Sequence, residues 1–176
     1  MRCLLTSWSD SRDQHVHELF EAHYRPLCRL AFLILHDSSR GEEVVMDAFV
    51  KLFGGWRRVG SMDRPDLYLR RAVVNGCSSR LRRLVVETRA RTSEISEIGG
   101  ELDRIEANLL LRDAIDSLPK RQRLCVLLRY FEDLPEVEMA EILGVSAGTI
   151  KSQLAKARAH LRGVLDKEKL RGESRA

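Results

Sequence analysis

Residues 135–161 read PEVEMAEILGVSAGTIKSQLAKARAHL. A short apolar-periodic segment, PEVEMAEILG, meets a second one, AGTIKSQLAKARAHL, across the tripeptide Gly144-Val145-Ser146. Pro135 is suited to opening the first helix. Gly144 can take the left-handed backbone that closes a helix, and Ser146 is suited to cap the next. Ala140 is small where two helices must cross, and Val145, Ile150 and Leu154 can bury the second helix on the first. The stretch therefore predicts a helix-turn-helix.

A helical wheel gives the second helix a direction. With Ile150 as origin and about 100° per residue, Leu154, Ala157 and Leu161 fall within roughly 40° of it. Gly148, Ser152, Ala155, Lys156 and Ala159 lie opposite. Lys151, Arg158 and Arg162 form one flank, and Thr149 and Gln153 the other. Small residues at the centre let a backbone enter a major groove, and cations at the rim meet phosphates. No acidic residue occurs between Glu141 and Asp166. An ordinary solvated helix more often alternates Glu with Lys.

The rest of the chain is also read as helical, because apolar spacings of three and four recur and alternating runs are scarce. A first helix is expected over about 14–36, its inward face being Val16, Leu19, Phe20, Leu27, Leu30, Ala31 and Ile34, with a kink or break at Pro26. A second carries Val45, Ala48, Phe49 and Leu52 and stops at Gly54-Gly55. A loop follows at 56–64. A third helix opens at Pro65 and runs to about Leu84. Residues 86–105 are polar, contain Gly99-Gly100 and predict a linker. Beyond it come helices at about 105–117 and 119–132, and then the helix-turn-helix, ending near Asp166. The fold class expected is all-α, in two small helical domains: a tail at 1–13, a domain at 14–85, the linker at 86–105, a domain at 106–166 and a polar tail at 167–176.

Charge is distributed unevenly along the 176 residues. Residues 70–91 hold seven Arg against one acid, and 151–171 hold seven Lys or Arg against two. Residues 92–106 and 132–141 hold five acids each. Two basic patches between acidic stretches fit a polyanion touched at two places, although solvated helix faces would also give such runs. On the third helix, Leu67, Val73, Val74, Cys77 and Leu81 form an apolar face. Tyr68, Arg71, Asn75, Ser78, Ser79, Arg82 and Arg83 form the other. An aromatic, an amide and several Arg together suit single-stranded nucleic acid: stacking, edge reading and backbone charge.

Other chemistries find little support. Cys3, Cys28, Cys77 and Cys125 are far apart with no CxxC pair, so reduced thiols in the cytosol are expected rather than disulfides or zinc. Cys77, on an apolar face, reads as core. No apolar run reaches the ~18 residues of a membrane span, and the N-terminus lacks a secretory signal pattern. His15, His17 and His23 lie near Glu18 and Glu21, but His15 and His17 point in different directions on a helix, against a metal site. No nucleophile triad or Gly-rich phosphate loop stands out. No catalytic activity, metal or cofactor is expected. A helix-turn-helix regulator with 14–85 as sensor or dimerisation domain stays open on these residues alone.

Four segments occur in an order that narrows the choice: GEEVVMDAFVKLF (41–53), PDLYLRRAVVNGCSSRLRR (65–83), LPKRQRLCVLLRYFEDL (118–134) and MAEILGVSAGTIKSQLAKARAHL (139–161). Together they resemble the bacterial RNA polymerase sigma factors, in the short two-domain form of the extracytoplasmic-function group. The resemblance covers about 14–165. It implies a first domain (sigma region 2) that binds the clamp helices of the largest polymerase subunit and captures the melted minus-ten strand. It implies a second (region 4) that binds the polymerase flap and reads the minus-thirty-five duplex. Such proteins direct core polymerase to promoters and help open them, in the cytoplasm and on the nucleoid when in holoenzyme. Many are restrained by an anti-sigma protein.

Carried over residue by residue, Asn75 matches the wall of a pocket for a flipped base, with loop 56–64 as the other wall. Tyr68 stands where Trp is common, and Arg71, Ser79, Arg82 and Arg83 share its face. Glu43, Met46, Asp47, Val50 and Lys51 match the clamp-binding surface, where Met46 replaces a common Gln; Phe53 replaces a common Trp. Thr149, Lys151, Ser152, Gln153, Lys156 and Arg158 match the duplex-reading helix, and Arg121 and Arg123 a helix that meets the DNA backbone. Lys151 and Lys156 replace frequent Arg. Lys lacks the planar fork that grips guanine, so a different upstream element is expected.

Overall fold

The computed structural model describes the backbone of residues 3–59, 62–88 and 105–173, and the side chains of 13–57, 62–83 and 111–166. Eight helices are formed by these residues, and no strand occurs among them: α1 (Cys3–Leu35), α2 (Ser38–Gly54), α3 (Trp56–Val59), α4 (Pro65–Thr88), α5 (Ile105–Asp116), α6 (Lys120–Tyr130), α7 (Glu136–Leu143) and α8 (Ala147–Glu173). The chain divides into two compact units, Met1–Glu94 and Ile95–Ala176.

In the first unit, α1, α2 and α4 pack against one another in all three pairings. The core is the expected one on α2, where Val45, Ala48, Phe49 and Leu52 are buried, and Val44 joins them because α2 is covered from two sides. On α1, Leu27, Leu30, Ala31 and Ile34 are buried, whereas Val16, Leu19 and Phe20 are half-buried. Phe20 stacks on Tyr24 at 4.5 Å and tilts against Phe49 at 5.1 Å. Leu67, Val73, Val74 and Cys77 are buried on α4 as read. Leu69 is also wholly buried, although it lies outside the face drawn from the sequence, and Leu81 is half-buried.

Several boundaries differ from expectation. α1 begins at Cys3, inside the expected tail, and its helical residues run unbroken through Pro26. No Gly or Pro precedes Pro26 to stop the helix. The ring costs roughly 3 kcal/mol in a helix interior; packing on both sides of it, by Phe20 before and Leu27 and Leu30 after, offsets that cost. The loop at 56–64 contains the short helix α3. α4 runs to Thr88 and α8 to Glu173, past the ends expected near Leu84 and Asp166, because no proline interrupts either one. The linker expected at 86–105 lies mostly outside the described residues.

The α1–α2 joint turns on His36, which holds φ 56°. Asp37 then caps α2, accepting from the Arg40 backbone N–H at 2.9 Å. Gly55 closes α2 by donating to Lys51 O at 2.9 Å. Pro65 opens α4, and Asp66 in its first turn holds Arg64 at 2.9 Å and Arg70 at 3.0 Å. Burial pushes the Asp66 carboxyl up, but the Arg64 hydrogen bond, the charges of Arg64 and Arg70 and the Leu67 backbone N–H together outweigh it and hold the group below its ordinary value. A carboxylate depressed on folding stabilises above its unfolded pKa, and that contribution is lost as pH falls through the folded value. Asp66→Asn is therefore expected to cost about 1–3 kcal/mol at neutral pH. The difference from wild type should vanish in acid, as urea melts across a pH series would record.

In the second unit α6 is central, packing on α5, α7 and α8. Enclosure on several sides explains why Leu124, Cys125, Val126, Leu127 and Leu128 are all buried in succession. Burial pushes the Cys125 thiol up to about 11, so it stays protonated at neutral pH. The α6–α7 turn is held by Arg129, which donates to Leu134 O at 2.9 Å. Gly144 has φ 66° and ψ 39°, the left-handed closure read from the sequence. Ser146 Oγ accepts from the Thr149 backbone N–H at 3.2 Å, as a cap should.

Candidate nucleic-acid interface

Burial sets the orientation of α8. Ile150, Leu154 and Ala157 are at most 3% exposed, while Gly148, Ser152, Ala155, Lys156 and Ala159 are exposed. Met139 and Ile142 are the buried side chains of α7, which packs on α8; Ala140 and Val145 are half-buried. Lys151, Arg158 and Arg162 stand exposed along one flank. Thr149 and Gln153 are half-buried on the other, and the Thr149 hydroxyl lies 2.9 Å from Ser146 Oγ. A narrow face of small side chains edged by cations can insert into a duplex groove and contact its phosphates.

The two arginines of α6 behave differently. Arg121 is exposed. Arg123 is 17% exposed and turns inward to Asp116 at 3.1 Å. It ties α6 to the end of α5. His160, at the edge of α8, lies 3.0 Å from Ser117 Oγ. Ser117 donates its proton to Ala114 O at 2.7 Å, so the imidazole Nε2–H is the donor in this pair. That polarity is opposite to the one that activates a serine nucleophile.

On α4, Arg71, Asn75, Arg82 and Arg83 are exposed, and Tyr68 and Ser79 are half-buried. Arg82 donates to Ser79 at 3.2 Å. Gly76 lets α4 approach α2 closely: a Cβ there would lie 2.7 Å from Val44 Cγ1. Beside this crossing opens a groove of about 410 Å³, walled by Asp47 and Lys51 from α2 and by Asn75, Ser79 and Arg83 from α4. The sequence reading assigned these residues to separate surfaces; the structure brings them to one. Arg80, which that reading did not single out, reaches Glu43 at 2.7 Å across the two helices.

The outer face of α2 carries an apolar stripe among its charged residues. Met46 is 45% exposed, Val50 66% and Phe53 42%. Their spacing of four and three places them on one stripe. On the second unit Tyr130, Phe131 and Val137 are also exposed. Among the described residues no three His, Cys, Asp or Glu side chains gather as metal ligands, and no helix is long and apolar enough to cross a membrane.

Comparisons with known proteins follow the two units. The family model described as sigma-70 region 2 matches residues 19–85, and that described as sigma-70 region 4 matches residues 108–161. The "ECF RNA polymerase sigma factor SigM" of Mycobacterium tuberculosis is 30% identical over 148 residues, spanning 84% of this chain and 76% of its own length. The "RNA polymerase sigma-E factor" of Streptomyces coelicolor is 31% identical over 137 residues, 77% of each chain. Among solved structures, the sigma factor RpoE of Bartonella quintana, crystallised with the anti-sigma factor NepR, superposes with a TM-score of 0.69 at 22% identity. That match covers 85% of this chain and 96% of the other.

Proposed function

The chain belongs to the extracytoplasmic-function RNA polymerase sigma factors, and from that membership we propose how its two units share the work of initiation. The protein binds core RNA polymerase and directs it to promoters. The part at 14–85 docks on the clamp helices of the largest subunit through Glu43, Met46 and Val50, with Phe53 beside them. It captures the melted minus-ten strand through Tyr68, Arg71, Asn75 and Arg82. The part at 106–166 meets the flap and reads the minus-thirty-five duplex through Lys151, Ser152, Gln153 and Lys156, with Thr149, Arg158 and Arg121 at the backbone.

The observation that carries this reading is the α2 stripe. Three large apolar side chains stay exposed on a helix whose other face is buried, which supports its use as a docking surface. Outside the holoenzyme this stripe and the exposed Tyr130, Phe131 and Val137 need cover, which supports an anti-sigma protein as a further partner. The protein performs no catalysis itself, and its place of action is the cytoplasm, on the nucleoid.

The test is run-off transcription with core polymerase and genomic DNA. Transcripts that start only when the protein is added are the expected result, and their absence would sink the proposal. Two variants then separate the units. Lys156→Ala should weaken upstream duplex binding roughly tenfold and flatten its salt dependence by about one. Asn75→Ala should impair promoter opening and leave duplex binding intact. Equal loss of both properties in each variant would refute the division.

A further inference from the structure

The chain enters α4 through a segment that cannot hold itself. α2 ends at Gly54, and Gly55 follows at φ −96° and ψ 10°. Next comes α3, a single turn of four residues. A helix that short has no stability of its own, so contacts with the rest of the unit must set where it points. The far end of the segment is secured. Asp66 holds Arg64, the residue before Pro65, through two hydrogen bonds of 2.9 and 3.0 Å. The near end is met from α1. The rings of His15 and Trp56 face each other with centroids 6.2 Å apart and planes tilted by 41°. That separation lies within the range of favourable aromatic pairs. The contact continues a row begun by Phe20 and Phe49, 5.1 Å apart. Moving back along α1 from Phe20, and forward from Phe49 past the end of α2, brings His15 to Trp56.

We propose that His15 is a positioning residue for strand capture. Stacked on Trp56, it fixes α3, and with it the path of 56–64 into α4, whose first turn carries Tyr68. The inference rests on the reading of the first unit as the strand-capturing one. It gives a task to turns of α1 that precede the family match, which begins at residue 19. Three observations carry it. α3 packs on α2, the helix it follows, and a contact between chain neighbours leaves the direction of the turn open; His15 comes from a different helix. Val16 and Leu19 are half-buried, so this part of α1 lies on the unit and offers a fixed support. His15 is exposed while Trp56 is half-buried, so losing the imidazole frees the turn without opening the core. A segment already held in its binding arrangement does not have to be ordered by the strand, and affinity rises accordingly.

The experiment uses the full chain, a fluorescein-labelled short single-stranded DNA of mixed sequence, and anisotropy over a salt series. Trp56 emission is the second signal, read in a Trp8→Phe background that leaves Trp56 the one tryptophan. His15→Ala should shift that emission to the red and lower strand affinity about two- to tenfold. The slope of log K against log salt should stay as in wild type, because no phosphate contact is removed. His15→Phe keeps a ring against Trp56 and should bind the strand within about twofold of wild type. Melting temperature and capture of core polymerase should not move in either variant, since His15 is exposed and lies off the α2 stripe. Unchanged strand affinity in His15→Ala would overturn the proposal. So would a flatter salt slope, which would make His15 a phosphate contact, or a lower melting temperature, which would make its role one of stability. Failure of His15→Phe to restore binding would assign the effect to the imidazole nitrogens, and loss of polymerase capture would place His15 in the docking face; either would overturn it too. Absence of strand binding by wild type would instead refute the strand-capturing reading of the first unit, and the role given to His15 would fall with it.

Discussion

Ile150→Asp is expected to unfold the second unit while the first remains folded. Ile150 is fully buried on α8, beside Leu154 and Ala157. Removing its side chain would alone cost about 2–5 kcal/mol. Introducing a carboxylate there adds the penalty of an unpaired buried charge, several kcal/mol more unless it takes up a proton. A helical unit of this size is stabilised by roughly 0.05–0.15 kcal/mol per residue, so the sum exceeds what holds it together. Circular dichroism should lose the helicity of α5–α8, hydrogen exchange should open there, and duplex binding should vanish. Ala155→Asp is the informative companion. Ala155 is exposed at the centre of the opposite face, so the unit should fold normally yet lose duplex binding to charge repulsion at the groove. Normal folding of Ile150→Asp, or full DNA affinity in Ala155→Asp, would contradict the orientation of α8.

Val50→Glu is the second large effect. Val50 is the most exposed member of the α2 stripe, so the folded state should tolerate glutamate there with a change of no more than about 0.5 kcal/mol. At an apolar interface the same substitution buries an unpaired charge at the centre of the contact. Such central positions cost 2 kcal/mol or more, about thirtyfold or greater in affinity. Core polymerase should therefore fail to retain Val50→Glu at concentrations that saturate wild type, with melting temperature and duplex binding of the second unit unchanged. Glu42 and Asp47 lie nearby on α2, so added negative charge would also slow encounter with an acidic partner surface, and ionic strength would then modulate the defect. Retention equal to wild type would mean that the stripe is not the docking face.

Much of the fold was legible because local rules and tertiary packing agree. The stripe of α2, the cap at Ser146 and the left-handed Gly144 each follow from spacing or backbone sterics, and each is present. Pro26 shows where local rules lose. A proline argues for a break, yet burial on both sides of it keeps one helix. Leu69 and the five consecutive buried residues of α6 were missed for a related reason. A helix covered from several directions has no single apolar face, so a two-sided wheel misassigns part of it.

The candidate sites divide in the same way. The exposed face of α8 was readable because its buried face is strictly periodic, and whatever lies opposite must face out. Arg123 was not readable: an arginine near the DNA-facing helix looks like any other until Asp116 is found 3.1 Å away. Nor could spacing within one helix reveal that Asp47 and Lys51 share a groove with Asn75 and Arg83, since that depends on how α2 crosses α4 at Gly76. The sequence by itself determined the longer helices, the inward faces of α2 and α8 and the family, because each is written in short-range periodicity and ordered motifs. Only the tertiary structure decided which charges are free and which are spent, because an ion pair between helices is set by the packing of residues far apart in the chain.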